Sequence, residues 1–218
     1  ISTYPAVLKE QFKIDHESGA KSTVGIFGYA VWNNWPLKVL KMILDRGGDA
    51  NSERRYEHPK GGVAQFPAIC DAIREHKNTE TVKLLLEYGA NPNSSRKANG
   101  GGPSLERYAL GDAIGKAQDL SMVKVLLEAG ADPNGVETIH FDNGSIERKS
   151  MLTYAIVDAK NAEMVRLLIK YGATWENKIT YSGITKIERR FPYAKINGVN
   201  QQMIDVLKAC GWKGPLFG

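Results

Sequence analysis

The chain alternates apolar and polar positions in one pattern that returns about every forty residues. Each copy holds apolar residues at spacing i, i+3, i+4, such as Val82, Leu85 and Leu86, and a Gly follows shortly afterwards. This spacing is typical of an amphipathic helix, and the Gly supplies positive φ at the end of the helix. The copies read VLKMILDRGGDAN, TVKLLLEYGANPN, MVKVLLEAGADPN, MVRLLIKYGATWE and, in degraded form, MIDVLKACGWKG. Such self-similarity predicts a stack of supersecondary units rather than one folded core.

A second marker confirms the period. An Ala precedes the Gly of every copy by 17 residues, at Ala30, Ala72, Ala113, Ala155 and Ala194, whereas successive alanines are 39 to 42 residues apart. Small residues let two helices approach to about 8–10 Å. We therefore expect each unit to be a packed helix pair of constant length, joined to the next by an exposed loop of variable length.

The polar segment after each Gly is rich in turn-forming residues, as in Asn91-Pro92-Asn93 and Asp132-Pro133-Asn134. Pro fixes φ, and Asx side chains bond to nearby backbone, so both favour a tight turn. Each unit is therefore expected to run helix, turn, helix, Gly stop and protruding loop.

On these residues, the chain resembles the ankyrin-repeat family over roughly residues 22–214. LLLEYGANPN and VLLEAGADPN look like the second helix and turn of that repeat, and the Ala of CDAI and GDAI lies where the family places its small residue. The family's Thr-Pro-Leu-His opening is degenerate here, with partial echoes at Phe66-Pro67 and Phe191-Pro192, and the units exceed the usual length of about 33 residues. The resemblance implies an all-α solenoid of stacked helix-turn-helix units with protruding β-hairpin fingers.

The whole chain, 1–218, is expected to form one ankyrin-repeat domain. Its parts are an N-terminal cap over 1–20 and repeats at about 22–51, 66–93, 108–134, 150–176 and 190–214. Terminal units need a cover for their apolar face. Helical spacing predicts a capping helix from Tyr4, Val7, Leu8 and Phe12, and the C-terminal cap is expected from Trp212, Leu216 and Phe217.

Four long connecting segments, which we call fingers, carry the candidate binding residues. They span about 51–65, 93–107, 134–149 and 174–190, and alternation around Asp142-Asn143-Gly144 and Ser182-Gly183 predicts β-hairpins in the third and fourth. The resemblance implies that the fingers and first helices form a concave binding face. Aromatic and Arg side chains are enriched among interface anchors. The expected partner-binding residues are Trp32, Arg54, Arg55, Tyr56, His58, His140, Phe141 and Tyr181. For Phe141 and Tyr181 the alternative is stacking between adjacent hairpins.

The polar residues do not form a pattern typical of catalysis or of a cofactor site. The four histidines are scattered without metal-ligand spacing, and Gly100-Gly101-Gly102 is followed by Pro103 instead of the Lys-Ser/Thr of a phosphate loop. Cys70 and Cys210 fall in units too far apart for a disulfide. They are interpreted as small hydrophobic residues, with a reactive thiol as the alternative. We expect a protein that is not an enzyme and holds no cofactor or metal.

The net charge of +5 and the pI near 9.1 change this picture little. Acids outnumber bases in the third finger, so no basic stripe continues along the row of fingers, and nucleic-acid binding is the remote alternative. Mixed charge fits a protein partner with acidic patches. No apolar run reaches the length of a membrane span. Residues 1–20 lack the apolar core of a secretion signal, so we expect a cytoplasmic protein or, if a leader preceded Ile1, a periplasmic or secreted one.

The sequence therefore predicts a non-catalytic module, monomeric when free, that grips a partner protein through its fingers and concave face. Ankyrin proteins of this size without a catalytic domain look similar to bacterial stand-alone ones, which include inhibitors that protect a cell from its own toxic hydrolase. The resemblance thus implies, as the finer hypothesis, an inhibitor or immunity protein. An effector that engages host proteins and a scaffold that joins two partners are the alternatives.

Overall fold

The computed structural model describes residue 8 and residues 10–100, 104–181, 184–189 and 201–211, in which hairpins and helix pairs alternate. The hairpins are β1 (Gln11–Asp15) with β2 (Lys21–Gly25), β3 (Glu53–Glu57) with β4 (Val63–Pro67), β5 (Ser95–Asn99) with β6 (Ser104–Tyr108), β7 (Val136–His140) with β8 (Ile146–Ser150), and β9 (Glu176–Tyr181) with β10 (Ile184–Arg189). The helices are α1 (Ile26–Trp32), α2 (Leu37–Asp45), α3 (Ala68–Arg74), α4 (Thr79–Glu87), α5 (Ala109–Asp112), α6 (Leu120–Glu128), α7 (Met151–Thr153), α8 (Ala162–Lys170) and α9 (Gln201–Ala209). Helices α5 and α7 continue as π-helical turns over Ala113–Ala117 and Tyr154–Asp158.

The hydrophobic core lies in the helix layer, as the spacing predicts. The marker residues of the first helices, Ala30, Ala72, Ala113 and Ala155, are at most 1% exposed. They pack with the buried apolar stripes of the second helices into one continuous core. The second helices end at Gly47, Gly89, Gly130 and Gly172, whose φ angles lie between 84° and 94°. The helix pairs and Gly stops of the first four units are therefore confirmed, whereas Ala194 and the first helix of the fifth pair lie outside the described residues.

Adjacent units are joined by hydrogen bonds from the polar turn. The Asn51 side chain donates to the Gly89 carbonyl at 3.0 Å and accepts from the Asn91 N–H at 2.8 Å, so it spans from one unit to the next. Asn93 and Asn134 repeat both bonds one unit further on. The local bond predicted for these turns is present as well, and it is made by the first Asx residue of each turn: Asp49 accepts from the Asn51 N–H at 2.8 Å, and Asn91 and Asp132 accept in the same way.

The prediction of an all-α solenoid is wrong, because β1 to β8 form one antiparallel sheet in chain order. Strands from neighbouring fingers pair with each other, so that Ala64 of β4 lies opposite Ala98 of β5. A lone hairpin would leave the backbone groups at its edges unpaired, and the next hairpin satisfies them. Hairpins are confirmed in the third and fourth fingers, and the first two fingers are hairpins as well. Strands β9 and β10 form a separate two-stranded sheet.

The N-terminal segment also differs from the expected capping helix. Phe12 lies in β1, which pairs with β2 as a further hairpin of the sheet, and Leu8 packs partly against the core. This segment is a strand because β2 supplies hydrogen-bond partners for its backbone groups. Phe12 thereby lies beside the helix layer. The other residues named for the two caps, Tyr4, Val7, Trp212, Leu216 and Phe217, lie outside the described part, so the caps and the repeat boundaries stay predictions.

Candidate functional site

The sheet has two faces that can be told apart by what their side chains reach. Arg54 of β3 bonds to Asp71 of α3, and Arg96 of β5 bonds to Asp112 of α5. Successive side chains of a strand point to opposite faces. Residues two positions from these arginines therefore share the face turned to the first helices, which we call the helix side. The other face is the opposite side.

One residue from each of the eight strands forms a continuous row on the helix side. In register from β1 to β8, the row is Ile14, Ser22, Tyr56, Ala64, Ala98, Leu105, Ile139 and Glu147, and we call it the helix-side row. Six of the eight are apolar or aromatic, and all six are half-buried. Strands lie about 4.8 Å apart, so the row is about 34 Å long. It is a long apolar strip that stays partly open to solvent.

The matching row on the opposite side is polar throughout. From β1 to β8 it consists of Lys13, Thr23, Arg55, Gln65, Lys97, Glu106, Thr138 and Arg148, and we call it the opposite row. Four of these side chains are basic and one is acidic. Two of the bases form exposed ion pairs, Arg55 with Glu57 at 3.0 Å and Lys97 with Glu106 at 3.3 Å. All four basic side chains of this row are exposed, so this face meets solvent through its charged groups.

Aromatic side chains crowd the N-terminal end of the helix side. The Tyr29 ring lies 5.4 Å from Phe12 and 6.1 Å from Trp32, and His16 joins Trp32 to Tyr56 at 6.2 Å and 5.8 Å. We call this group, with Trp35, the aromatic cluster. Most of its contacts are edge-on, the geometry that ring quadrupoles favour. These ring contacts restrict one another's rotamers. Phe12 and Trp35 are the exposed members of the cluster.

Arg54 packs between aromatic rings on this face. Its Nε and Nη2 donate to the carboxylate of Asp71 at 3.3 Å and 3.1 Å, and its guanidinium carbon lies 4.4 Å from the ring centroids of both Trp32 and Phe66. Burial raises the pKa of Asp71, while Arg54 acts to lower it. The buried guanidinium thus packs against the face of the Trp32 ring and restricts its position.

The same two positions are paired in four successive units, with chemistry that changes along the stack. The second residue of the first strand meets the fourth residue of the following helix. The pairs are Phe12 with Tyr29 through their rings, Arg54 with Asp71 and Arg96 with Asp112 as ion pairs, and Glu137 with Tyr154 through a hydrogen bond. At the end of each finger nearest the helices, the pair is therefore aromatic in the first unit and ionic in the second and third. In the fourth unit it contains a buried carboxyl group.

Glu137 is that buried acid, only 1% exposed. Its Oε1 accepts from the Tyr108 N–H at 3.0 Å, and its Oε2 accepts from the Tyr154 hydroxyl at 2.5 Å. Burial is the main cause that raises the pKa of Glu137 to about 7, and Asp112 adds to it, whereas Tyr154 and Arg107 oppose it. A carboxyl with this pKa changes charge near neutral pH.

Three of the predicted site residues come together in the structure. Trp32, Arg54 and Tyr56 all lie on the helix side, where Trp32 and Tyr56 are half-buried members of the aromatic cluster. Arg54 itself is buried against Asp71, so it supports the aromatic rings and leaves little of its own surface for a partner. Its guanidinium needs that carboxylate once it leaves water.

The other predicted residues lie apart from this group. Arg55 is exposed on the opposite side, and His140 is exposed where β7 ends. His58 and Phe141 are exposed in the turns of the first and third fingers. Tyr181 is the last residue of β9, and its side chain lies outside the described part.

Sequence reasoning missed most of the helix-side row. Leu105 and Ile139 alternate with polar residues in SLERY and VETIH, and this period of two could have indicated strands with one apolar face. The positions of Phe12 and His16 at the sheet were not predicted, because the apolar residues of this segment match a helical spacing. Only the pairing of strands between units brings these residues into one row.

In the described ranges, a metal site would show as a cluster of ligating side chains and a membrane span as a long apolar helix. No group of three or more His, Cys, Asp or Glu there is placed to hold a metal ion, and no helix among them is long and apolar enough to cross a bilayer. Cys70 is a free thiol within the core, and burial raises its pKa, which keeps the thiol protonated. Cys210 is free and half-buried.

Comparison with known protein families matches residues 69–180 to the family described as ankyrin repeats (3 copies). The match runs from α3 into β9 and covers about half of the chain. It indicates a protein–protein interaction module of a family that is typically non-catalytic. A comparison with curated proteins gives no match.

Proposed function

This chain belongs to the ankyrin-repeat family, and on that premise we propose that it is a non-catalytic module that holds a partner protein against the helix side of its sheet. The helix-side row carries this proposal. A solvated sheet face normally bears polar side chains, as the opposite row does. A partly open apolar strip about 34 Å long is instead typical of an interaction surface.

The aromatic cluster is expected to provide the strongest contacts. Trp32 and Tyr56 offer large amphipathic rings, the kind of side chain that dominates interface energies. Because Arg54 and His16 already pack against these rings, little rotamer freedom remains to be lost on binding. Leu105 and Ile139 extend the contact towards the C-terminal end of the row.

Photo-crosslinking from two adjacent residues tests the proposal. Ala98 belongs to the helix-side row and Lys97 to the opposite row, so the same photoreactive amino acid at each position samples one face of β5. Each variant is exposed to lysate of the source organism and irradiated, and crosslinked proteins are identified by mass spectrometry. We expect one protein to crosslink from position 98 and to lose that crosslink when Tyr56→Ala is added.

Each other outcome contradicts the proposal in a defined way. Crosslinks from position 97 alone would move the partner to the opposite side. Equal crosslinks from both positions would indicate non-specific contact. Crosslinks from neither position would show that the sheet does not bind a partner under these conditions, and the proposed face would be wrong.

The finer form of the function that we propose is inhibition of a partner hydrolase by a chain that is monomeric when free. His58 lies four residues beyond Arg54, about 13 Å further along the finger from the helices, so the finger turns can enter a cleft while the row holds the rim. If the crosslinked partner is a hydrolase, its activity should vanish at an equal molar ratio and return with Tyr56→Ala. A partner that binds but keeps full activity would favour a scaffold instead.

A further inference from the structure

Three arginines and two carboxylates meet at the middle of the helix side. Arg96 of β5 and Arg107 of β6 lie opposite each other in register, and Arg74 of α3 places Nη1 3.7 Å from Oδ1 of Asp112. Asp112 also binds Arg96, and Glu137 lies beside Arg107. We call Arg74, Arg96 and Arg107 the arginine cluster. Its three positive charges face two buried carboxylates, Asp112 and Glu137, and one partly exposed carboxylate, Glu75, beside Arg74.

Arg96 is bound to Asp112 within the fold and is not available to a partner. Its Nε and Nη2 donate to the two oxygens of Asp112 at 2.7 Å and 3.3 Å, and the side chain is buried. Asp112 is thereby committed to Arg96, and Arg74 reaches it only at ion-pair distance. Arg74 also lies 3.3 Å from the carboxylate of Glu75, which is itself nearly half exposed. Arg74 is 31% exposed and is therefore open to another anion.

Arg107 is the least satisfied member of the arginine cluster. Its Nε lies 3.8 Å from Oε2 of Glu137, which is too long for a hydrogen bond. Both oxygens of Glu137 already accept, from Tyr108 and from Tyr154. Among the residues that the structure describes, the buried Nε of Arg107 has no hydrogen-bond partner, although the side chain is 30% exposed. A buried N–H without an acceptor is unfavourable, because it loses its bond to water and gains none in the protein.

We propose that Arg107 and Arg74 receive a carboxylate from an acidic, apolar segment of the partner protein that lies along the helix-side row. This inference rests on the proposed function, because it names the chemistry of the partner at the same face. A carboxylate matches the planar guanidinium with two parallel hydrogen bonds. Leu105 lies two residues from Arg107 on the same face of β6, about 7 Å away, so the segment needs apolar and acidic side chains close together.

The same surface does not suit a nucleic acid. A phosphate backbone needs several basic contacts in succession. Among the described residues of this face, the partly exposed bases are Arg74, Arg107 and Lys149. Lys149 is paired with Asp158 and Glu147, and Glu147 closes the row at β8. The six apolar or aromatic side chains of the helix-side row would gain little from a charged backbone and much from apolar partner side chains. A protein segment is therefore the occupant that fits.

Two synthetic peptides test the inference without knowledge of the natural partner. One alternates Glu and Leu, the other alternates Gln and Leu, and both have blocked termini. Binding to the full chain is measured by fluorescence anisotropy in a buffer of physiological ionic strength. We expect the Glu peptide to bind at least about tenfold more tightly than the Gln peptide, because only a carboxylate pairs with the guanidinium groups.

Matched double variants locate the effect. Arg74→Gln with Arg107→Gln removes two charges from the helix side, and Arg55→Gln with Lys97→Gln removes two from the opposite side. We expect the first pair to weaken Glu-peptide binding by about tenfold and the second by less than about twofold. Thermal unfolding of each variant shows that the fold is retained. Equal weakening by both pairs, or none by the first, would overturn the inference.

A third variant predicts a gain, which a folding defect cannot produce. Glu137→Gln keeps an acceptor for the Tyr108 N–H and supplies a donor for the Tyr154 hydroxyl, while it removes the negative charge beside Arg107. At pH 8 it should tighten Glu-peptide binding about threefold or more. Unchanged or weaker binding would contradict the role given to Arg107.

The inference and the proposed function can fail separately. Crosslinks from position 98 that persist while the arginine variants have no effect would leave the proposed function standing and overturn the inference. Absence of crosslinks from position 98 would overturn the proposed function whatever the peptides do. Tighter binding of a single-stranded oligonucleotide than of the Glu peptide, lost with the same arginines, would replace the protein segment by a nucleic acid and overturn the inference.

Discussion

The two faces of the sheet are made by the same strands but differ in every property that matters for binding. Lys97 and Ala98 are neighbours in β5, yet Lys97 is exposed and pairs with Glu106, whereas Ala98 is half-buried in the helix-side row. The reason lies at the base of the fingers, where the helix side is turned to the first helices, so that Arg54 bonds to Asp71 and Arg96 to Asp112. Side chains there are held by buried partners, so that face can keep an ordered apolar strip beside the core.

The comparison teaches that charge plays different roles on the two sides. On the helix side the ion pair of Arg96 with Asp112 is buried, and each member depends on the other. On the opposite side the ion pair of Lys97 with Glu106 is in water, where such pairs contribute about 0–1 kcal/mol. We therefore expect mutations of equal charge to differ strongly between the two faces.

The largest expected effect is the loss of Arg96. Arg96→Ala leaves the Asp112 carboxylate buried without its partner, so the free energy of unfolding should fall by about 3–5 kcal/mol. The matched change Arg55→Ala on the opposite side should cost less than about 0.5 kcal/mol. Urea unfolding followed by circular dichroism measures both. Similar values for the two variants would show that the faces do not differ in this respect.

A double substitution sharpens that result. Arg96→Met with Asp112→Leu removes both charges and keeps apolar volume, so it should recover most of the stability that Arg96→Ala loses. The same urea experiment applies. If the double variant does not recover stability, the hydrogen bonds of this pair do more than offset the desolvation of its two charges. They would then also fix the geometry at the base of the finger.

An intermediate effect is expected at Glu137, with a definite sign in pH. Its pKa is raised from 4.5 to about 7 in the folded chain, so the folded state binds more protons between these values. The free energy of unfolding should therefore fall as pH rises from about 4.5 to about 7, by roughly 3 kcal/mol, and then level off. The charged and titratable groups that face Glu137 are Tyr154, Arg107, Asp112, Lys149, Arg96 and Tyr108.

Glu137→Gln isolates this contribution. The variant should show a smaller decrease in stability between pH 5 and pH 8 than the native chain, and should be the more stable of the two at pH 8. Urea unfolding at the two pH values gives the difference. An unchanged pH profile would show that Glu137 is ionised already at pH 5 in the folded chain.

The smallest effect is expected on the opposite side. Lys97→Ala should change the free energy of unfolding by less than about 1 kcal/mol, because the ion pair with Glu106 is exposed. That difference should vanish in 1 M salt, where the Debye length is about 3 Å. Unfolding curves at low and high salt test it. A salt-independent loss would mean that Lys97 contributes through packing of its stem.

Part of the candidate site was within reach of the sequence. Trp32 and Tyr56 were chosen for their chemistry, and the structure places both in the aromatic cluster. Arg54 was chosen for the same reason but is buried, because its acceptor, Asp71, lies 17 residues further on in a helix. Leu105 and Ile139 were missed, since a half-buried apolar side chain in a strand has no distinctive chemistry of its own.

The repeat unit follows from the amino-acid sequence alone. Helix pairs, their buried alanines and the glycine stops depend on contacts within about twenty residues, so periodicity and local propensity predict them. The tertiary structure decided how units join. Ala64 pairs with Ala98 through backbone groups that every residue carries and no letter of the sequence distinguishes. The Asn51 side chain bonds to the carbonyl of Gly89 in the next unit, and periodicity alone does not indicate that bond. One antiparallel sheet, and with it the apolar and polar faces, exists only once neighbouring fingers satisfy each other's edges.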